Sequence, residues 1–360
     1  MELLQNKLYI EDIKRVSESQ LPWEKLEGKT ILISGASGMI GSFLIDVLMY
    51  KNKVDHINCK ICALGRSEKK AKQRFFNYWK QEGFNFFSFD IVKKPLNKNE
   101  IGKADFIIHA ASNTHPIAYS TDPIGTITTN VIGTYHLLEF ANKYCTERFA
   151  FLSSNEIYGE NRGDVETFSE DYCGYINSNT LRAGYPESKR CGEALCQAYI
   201  KQKGLDIVIP RLTRSYGPTM LMSDTKAISQ FIKKSIAKEN IVLKSDGTQF
   251  YSYTYMADAV TGLLTILLKG KNGEAYNIAD THSDIMLKDL AEIIAKWSGM
   301  KVVYDLPSQT EKEGFSKATK ARLNANKLKM LGWRAQYNIY SGIERTLQIL
   351  KEMGADRIGR

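Results

Sequence analysis

The chain has 360 residues, a formal net charge of +9, 43% hydrophobic residues and 25% charged residues. This balance is typical of a globular protein, because a disordered chain has fewer apolar residues for its charge. No apolar run reaches the roughly 18 residues of a transmembrane helix, and the N-terminus lacks the apolar block of a signal peptide. We therefore expect a cytoplasmic protein without a membrane partner.

The basic residues are scattered along the chain and form only short clusters, such as the one at residues 69–74. A nucleic-acid-binding protein concentrates its lysines and arginines on one face, so we expect no nucleic-acid partner. Cys59 and Cys62 form a C-x-x-C sequence on a predicted strand, where an odd offset sends side chains to opposite faces. With five scattered histidines besides, the sequence predicts no metal site.

The predicted elements begin with an N-terminal extension, residues 1–28, that contains an amphipathic helix around residues 9–19. From Lys29 onward, short apolar runs alternate with helical stretches, which is typical of a parallel sheet covered by helices. The predicted strands lie at residues 30–35, 60–65, 84–91, 104–111, 148–154 and 206–212, with helices at 126–144 and 185–203. The sequence thus predicts an α/β fold over residues 29–216, with a doubly wound parallel sheet of the Rossmann type.

The alternation of strands and helices weakens after residue 216. Predicted helices at 226–238, 256–269 and 287–298 mix there with short strands. We interpret residues 217–360 as a smaller mixed α/β C-terminal lobe that mainly binds the substrate.

A glycine-rich loop, GASGMIG, directly follows the first predicted strand and directly precedes a helix. In such a loop the first glycine permits the tight turn, the second lets the backbone approach a pyrophosphate, and the third lets helix and strand pack closely. The amides at the helix N-terminus then face the phosphates. The pattern predicts a dinucleotide site, and its residues are Gly35, Ser37, Gly38, Met39, Ile40 and Gly41.

The second predicted strand ends in Gly65 and Arg66, whereas an NAD site usually has a carboxylate there for the ribose hydroxyls. Arg66 either binds a 2′-phosphate, which slightly favours NADP over NAD, or stacks on the adenine. Asp90 and Ile91, at the end of the third predicted strand, are placed to meet the adenine edge.

Tyr185 and Lys189 lie four residues apart on one face of a predicted helix. A phenol has an ordinary pKa near 10, so it needs adjacent positive charge to act as a base near neutral pH. Lys189 and an oxidised nicotinamide would supply that charge. The pair predicts that a proton moves through Tyr185 while a hydride moves to the dinucleotide.

The glycine-rich loop, the segment FLSSNEIYG and the Tyr185–Lys189 pair occur in an order that resembles the extended short-chain dehydrogenase/reductase family. The similarity is to its nucleotide-sugar epimerases, dehydratases and decarboxylases. It implies that Tyr185 transfers the proton, that Lys189 lowers the pKa of Tyr185 and holds the nicotinamide ribose, and that Ser154 hydrogen-bonds the reacting sugar hydroxyl. It also implies a homodimer built on helices 126–144 and 185–203. Its further cofactor contacts are Ala110, Ala111, Ser112 and Asn130.

Asn155 and Glu156 follow Ser154, where the dTDP-glucose dehydratases have Asp-Glu and simple 4-epimerases have small, uncharged residues. Glu156 favours chemistry at carbon 5, as a base or as a group that steers an enolate, and Asn155 lacks the proton that Asp would donate. The runs at 109–134 and 170–190 are similar to those of UDP-glucuronate decarboxylases. The resemblance thus implies a nucleotide-diphosphate sugar as substrate and decarboxylation as the leading reaction. The alternatives are 4,6-dehydration and 4-epimerisation.

Three positions depart from the decarboxylase pattern. Arg214 replaces the usual Asn, Lys226 replaces an Arg, and Tyr251 replaces an Arg that commonly grips the diphosphate. Lysine offers only a point charge and tyrosine at most one hydrogen bond in place of a bidentate fork. We predict that Arg214 and Arg322 compensate, and that Arg182 also binds substrate. These departures bring glucuronate and uridine into question and leave a non-catalytic nucleotide-binding scaffold as the alternative from another class.

Overall fold

The computed structural model describes residues 2–114, 116–305 and 319–354. Within these ranges the main sheet has eight strands, all parallel, in the order β11-β7-β5-β4-β1-β2-β3, with β6 paired to β7. The strands of the described chain are β1 (Thr30–Ser34), β2 (Lys60–Gly65), β3 (Phe84–Ser88), β4 (Phe106–His109), β5 (Arg148–Phe151), β6 (Ser153–Ser154), β7 (Ile207–Leu212), β8 (Arg214–Tyr216), β9 (Ile241–Leu243), β10 (Phe250–Tyr255), β11 (Ala275–Ile278), β12 (Asp284–Met286), β13 (Val302–Tyr304) and β14 (Lys320–Ala321). The predicted doubly wound α/β class is confirmed.

The helices agree with the predicted alternation and extend it into the C-terminal part. They are α1 (Lys7–Ser17), α2 (Met39–Asp55), α3 (Glu68–Arg74), α4 (Lys98–Ile101), α5 (Pro116–Thr121), α6 (Pro123–Lys143), α7 (Gly184–Lys203), α8 (Ala227–Ile236), α9 (Met256–Lys269), α10 (Leu287–Ser298), α11 (Asn326–Met330) and α12 (Ile339–Met353). No helix within the described ranges combines the length and the apolar character needed to cross a bilayer.

The two faces of the main sheet bury different sets of side chains, because successive residues of a strand point to opposite faces. On β1, Ile31 and Ile33 belong to one hydrophobic cluster and Leu32 belongs to the other. Cys59 and Cys62 are likewise divided between the two clusters. Their predicted placement on opposite faces is therefore confirmed.

The order of the strands reverses at β1, which lies between β2 and β4. In an open α/β sheet the connections on the two sides of such a point leave toward opposite faces, and a crevice opens at the carboxyl ends of the strands. The residues after β1 and β4 line that crevice. The predicted dinucleotide loop therefore begins at the edge where this fold binds ligands.

A second sheet is centred on β10, which pairs in parallel with β8 and β14 and in antiparallel fashion with β12. Between these strands the chain returns to the main sheet, because Ala275–Ile278 pairs with β7. Residues beyond 217 thus contribute to both sheets. The predicted domain boundary at residue 216 stays a prediction.

Residues of the N-terminal extension are part of the hydrophobic core rather than an appendage. Helix α1 contributes Tyr9, Ile13 and Val16, each at most 1% exposed. The Tyr9 hydroxyl donates a hydrogen bond to Asp46 on α2, and Asp12 accepts hydrogen bonds from residues of β10 and the C-terminal segment. The helix therefore ties the first crossover helix to the C-terminal end of the described chain.

Candidate active site

The glycine-rich loop is closely packed against the crevice wall. Gly35 has a φ of +70°, and a Cβ atom there would lie 2.7 Å from the backbone of Ala110 and Ala111. A Cβ atom at Gly41 would lie 2.6 Å from the Gly35 oxygen. Any larger residue would therefore displace the backbone from the place where a pyrophosphate approaches it.

Helix α2 starts directly after this loop and is 17 residues long. Its N-cap residue is Gly38, which has no side chain that could accept a hydrogen bond from the first turn. The amides of the first turn of α2 have no intrahelical partner, and no side chain of the N-cap residue accepts a hydrogen bond from them. Together with the close packing at Gly35, this arrangement fits the diphosphate of a dinucleotide.

The predicted adenine-side residues lie around the ends of β2 and β3. Arg66 is exposed just after β2. Asp90 is half-buried and accepts a hydrogen bond from the Val92 amide at 3.0 Å. Ile91 is buried and packs against Gly133 of α6, where a Cβ atom would lie 2.7 Å from its Cδ1 atom. Their contacts to a cofactor stay predictions.

The remaining predicted cofactor contacts lie after β4 and on α6. Ala110, Ala111 and Ser112 follow β4 and are half-buried. Asn130 on α6 is fully buried, and its amide nitrogen donates to the Ser188 hydroxyl at 2.9 Å. The Oδ1 atom of Asn130 has no hydrogen-bond partner among the described residues. An unpaired buried acceptor costs about 1–3 kcal/mol, so a bound group that donates to it would remove that cost.

Tyr185 and Lys189 lie on the first turns of α7 and are 6% and 3% exposed. Ser154, the last residue of β6, hydrogen-bonds the Tyr185 phenol. The Lys189 ammonium donates to the Leu152 carbonyl at 2.7 Å. The fold therefore brings together the three residues that the resemblance assigns to proton transfer. Their catalytic roles stay predictions.

Burial shifts the pKa values of Tyr185 and Lys189 in opposite directions. It raises the pKa of the Tyr185 phenol to about 12, although the hydrogen bond with Ser154 favours the ionised form. It lowers the pKa of Lys189 to about 7, against the attraction of Glu193. Both shifts have the same cause, because a low-dielectric environment disfavours whichever form is charged. Positive charge from a bound nicotinamide ring would favour the phenolate.

The Lys189 shift predicts a pH dependence of stability. Its pKa of about 7 in the folded protein is below the ordinary value near 10.4 of the unfolded chain. Between those values the unfolded state binds more protons, so stability rises with pH. From pH 7 to pH 9, the free energy of unfolding of the parent should rise by about 2 kcal/mol more than that of Lys189→Met, which lacks the titrating group. Urea unfolding of both proteins at the two pH values measures this difference. Identical pH dependence of the two proteins would contradict the assignment.

Glu156 is held between two arginines, two residues after Ser154. Its Oε2 atom lies 2.7 Å from Nη2 of Arg182, and its Oε1 atom lies 3.4 Å from Nη2 of Arg214. Burial disfavours the ionised form, but the charges of Arg182 and Arg214 outweigh it and hold the pKa of Glu156 below its ordinary value. The Glu156 amide donates to the Ser154 hydroxyl at 3.2 Å. The carboxylate is thus ionised and lies close to Ser154.

The other predicted substrate-binding residues are divided between two places. Arg214 stacks over the Tyr251 ring, with its guanidinium carbon 3.5 Å from the ring centroid. Arg322 stacks over Phe250 at 4.7 Å and pairs with Glu166 at 2.9 Å. Since consecutive strand residues point to opposite faces, the geometry does not bring Arg322 and Arg214 together.

Lys226 and Asn155 are the two remaining predicted substrate-binding residues. Lys226 precedes α8 and pairs with Asp224 at 3.0 Å. Asn155 is buried and, with Glu156 and Arg182, lines a cavity that is open to solvent. Because Lys226 is already paired with the Asp224 carboxylate, it is a weak candidate for binding a substrate phosphate.

Sequence reasoning did not single out two buried residues of this site. Tyr119 on α5 stacks on Tyr185 with ring centroids 4.8 Å apart, and Arg182 lies 4.8 Å from the Tyr119 ring centroid. His109 bridges Ser34 and Thr134 through its two ring nitrogens. Both lie in the run at 109–134 that carries the resemblance, and that run was the available signal.

Burial lowers the pKa of His109 to about 3, with a smaller contribution from Lys189. The imidazole is therefore neutral, so one ring nitrogen donates and the other accepts. It joins β1, β4 and α6 at the mouth of the crevice and positions the wall against which the glycine loop packs.

The sequence matches the profile of the NAD dependent epimerase/dehydratase family over residues 31–279. The chain belongs to this family. Among curated relatives, UDP-glucuronic acid decarboxylase 3 of Arabidopsis thaliana is 30% identical over 319 residues, which cover 87% of this chain and 86% of the relative. UDP-glucuronic acid decarboxylase 1 of Xenopus tropicalis is 28% identical over 326 residues, which cover 90% of this chain and 72% of that protein.

Two solved structures of epimerase/dehydratase-type enzymes are similar to the fold of this family member. The dTDP-glucose 4,6-dehydratase of Streptomyces venezuelae with NAD bound has a TM-score of 0.76 at 24% identity, over 90% of this chain and 97% of that one. The UDP-glucuronic acid 4-epimerase of Bacillus cereus, in complex with UDP-glucuronic acid and NAD, has a TM-score of 0.76 at 23% identity, over 90% and 99%. At these identities the likeness shows the fold.

Proposed function

We propose that this protein oxidises carbon 4 of a nucleotide-diphosphate sugar with a recycled NAD(P), and that its reaction is the decarboxylation of a UDP-glucuronate-type substrate. The observation that most strongly supports this proposal is the cluster of Ser154, Tyr185 and Lys189 at the carboxyl edge of the sheet, with the ionised Glu156 beside it. The two curated relatives named above are UDP-glucuronic acid decarboxylases, which supports this choice.

The residues of the cluster have distinct tasks in this proposal. Ser154 positions the sugar hydroxyl through the same oxygen that hydrogen-bonds Tyr185, and Tyr185 accepts the hydroxyl proton. Lys189 holds the nicotinamide ribose, and the Arg182 guanidinium supplies positive charge that lowers the pKa of the phenol against the effect of burial. A dinucleotide held by the glycine-rich loop and Lys189 would supply the hydride acceptor for carbon 4 and the hydride that reduces the ketone at the end of the reaction.

The loss of carbon dioxide requires little from the protein beyond position. Once carbon 4 is a ketone, the carboxylate on carbon 5 is in the β position. The bond from carbon 5 to the carboxyl carbon then breaks without a strong base, the electron pair is held as an enolate on the carbon 4 oxygen, and carbon 5 takes a proton from water. The ionised Glu156, paired with Arg182 and Arg214, is poorly suited to abstract a proton because its pKa is lowered. This supports decarboxylation over 4,6-dehydration, which needs a base at carbon 5.

The other candidates differ in the mass of their products. A decarboxylase gives a nucleotide pentose lighter by one carbon dioxide, a 4,6-dehydratase gives a product lighter by one water, and a 4-epimerase gives no change. We expect mass spectrometry of the protein incubated with UDP-glucuronate and cofactor to show the pentose. The same incubation with UDP-, dTDP-, GDP- and CDP-hexoses serves as the control. Conversion of a hexose, with UDP-glucuronate untouched, would overturn the decarboxylase assignment.

A non-catalytic scaffold is the remaining alternative from another class. It predicts binding of the dinucleotide without any change in the sugars of the same panel. The joint presence of Ser154, Tyr185 and Lys189 in hydrogen-bonded positions speaks against it.

The proposal extends to the form of the cofactor and of the assembly. Both NAD and NADP are candidates, and the exposed Arg66 favours NADP because a guanidinium binds a phosphate in bidentate fashion. A homodimer is supported by the exposed apolar residues Ile124, Ile132 and Tyr135 on α6, which packs beside α7. Light scattering in solution tests the homodimer.

A further inference from the structure

The arginine pair around Glu156 carries more positive charge than its one internal partner neutralises. Arg182 and Arg214 contribute two guanidinium groups, and Glu156 contributes one carboxylate. Among the described residues, no second carboxylate hydrogen-bonds either arginine. The side chains of Arg182 and Arg214 are only 13% and 16% exposed, so water screens this excess charge poorly.

Three nitrogen atoms of the pair are buried and have no hydrogen-bond partner in the described chain. They are Nε and Nη1 of Arg182 and Nη1 of Arg214. Each carries an N–H group, and buried donors in native proteins are nearly always satisfied. Unpaired donors on a surplus of positive charge are the arrangement that an anionic ligand completes.

Stacking fixes where these donors point. Arg214 lies flat on the buried ring of Tyr251, and Arg182 lies over the ring of Tyr119, which itself stacks on Tyr185. A guanidinium held on an aromatic face keeps its edge available for in-plane hydrogen bonds. The donors are therefore fixed around the Glu156 carboxylate, one stacked ring away from the reacting phenol.

We propose that Arg182 and Arg214 bind the carboxylate that the substrate carries on carbon 5 of its sugar, and that Glu156 holds both guanidinium groups in position for it. This inference rests on the proposed function, and it names the substrate class as acidic sugars. The sugar geometry selects the carboxylate over the diphosphate. Carbon 5 is bonded directly to the carbon 4 that Tyr185 serves, whereas the diphosphate on carbon 1 lies across the ring.

Two of the three departures from the decarboxylase pattern, Arg214 and Tyr251, then have a common explanation. Tyr251 does not carry the charge of the arginine that it replaces, and its ring is the surface on which Arg214 stacks. The guanidinium on β8 thus serves the carboxylate and does not take over the diphosphate contact of the replaced arginine. A neutral hexose would leave the three donors unpaired, so the pair selects against it.

The test is a binding comparison in the Tyr185→Phe background, which stops turnover. Calorimetry with UDP-glucuronate, UDP-glucose and UDP gives the preference for the uronate over the hexose. We expect Arg214→Asn to reduce that preference by roughly tenfold to a hundredfold and to leave UDP affinity unchanged. Arg214→Lys should be intermediate, because it keeps the charge but loses the fork.

Arg15→Asn is the matched control, since Arg15 is an exposed arginine that stacks on Tyr337 at 5.1 Å. It should not change the preference, and unfolding curves of all variants show whether each is folded. If Arg214→Asn lowered the affinity for UDP as much as the affinity for UDP-glucuronate, Arg214 would bind the diphosphate, and the proposal would be overturned. The proposal would also be overturned if the Tyr185→Phe protein bound neither UDP-glucuronate nor UDP-glucose, or bound both equally well. An Arg214-dependent uronate preference without any pentose product would instead refute only the proposed function.

Discussion

Tyr185→Phe should lower kcat by roughly 10²–10⁴-fold, the range that a positioned acid or base contributes. The phenyl ring retains the stack on Tyr119 and the burial of the parent side chain. The substitution removes only the hydroxyl that is hydrogen-bonded to Ser154. The loss should therefore appear in turnover and not in folding.

The measurement has two parts. Quantifying the pentose nucleotide formed from UDP-glucuronate gives kcat, and separate fluorescence titrations with NAD and NADP give the cofactor affinities. We expect both cofactor affinities to stay within about threefold of the parent, because the lost hydroxyl faces the sugar in this proposal and Lys189 is intact. The same titrations report which dinucleotide the site at Arg66 prefers.

Tyr199→Phe is the control for this experiment. Tyr199 lies on the same helix, and its hydroxyl donates to Glu139 of α6, away from the reacting cluster. Its kcat should equal that of the parent. A Tyr185→Phe protein that retained the parent kcat would exclude Tyr185 as the proton-transfer residue.

Asp12→Ala should have the largest effect on stability, a loss of about 3–5 kcal/mol. Asp12 is fully buried on α1. It accepts hydrogen bonds from the hydroxyls of Tyr255 and Tyr337 at 2.6 and 2.7 Å and from Nε of Arg345 at 3.0 Å. Truncation would leave the two phenols and the Arg345 Nε atom without their shared acceptor, and donors left unpaired in a buried site are strongly destabilising.

Glu11→Ala provides the control, because Glu11 also pairs with Arg345. Its side chain is 44% exposed and its oxygen lies 3.4 Å from Nη2, so its loss should cost less than about 1 kcal/mol. Urea unfolding of both variants at pH 7 measures the difference. Equal, small losses would show that α1 is only loosely attached to the rest of the fold.

The secondary structure and the cofactor loop could be predicted from the sequence because both depend on residues that are neighbours in the chain. The alternation of apolar runs with helical stretches follows from side-chain periodicity, and the spacing of Gly35, Gly38 and Gly41 follows from one strand-turn-helix unit. The four-residue spacing of Tyr185 and Lys189 likewise places both side chains on one helix face. These features could be assigned without knowing how distant segments meet.

The tertiary structure decided what lies opposite those residues. Glu156 meets Arg182 and Arg214, which are 26 and 58 positions away in the chain, and no local pattern encodes such a contact. The replacement of an arginine by Tyr251 gave the appearance of a weakened phosphate site in the sequence. In the structure it is the ring on which Arg214 lies.

The sequence by itself thus determined the α/β class, the cofactor loop and the proton-transfer pair, because short-range geometry specifies them. The integration of the N-terminal helix, the return of β11 to the main sheet and the arginine pair around Glu156 were decided only when the chain folded. Each depends on burial, which fixes the partners of a side chain through contacts between segments that are far apart in sequence.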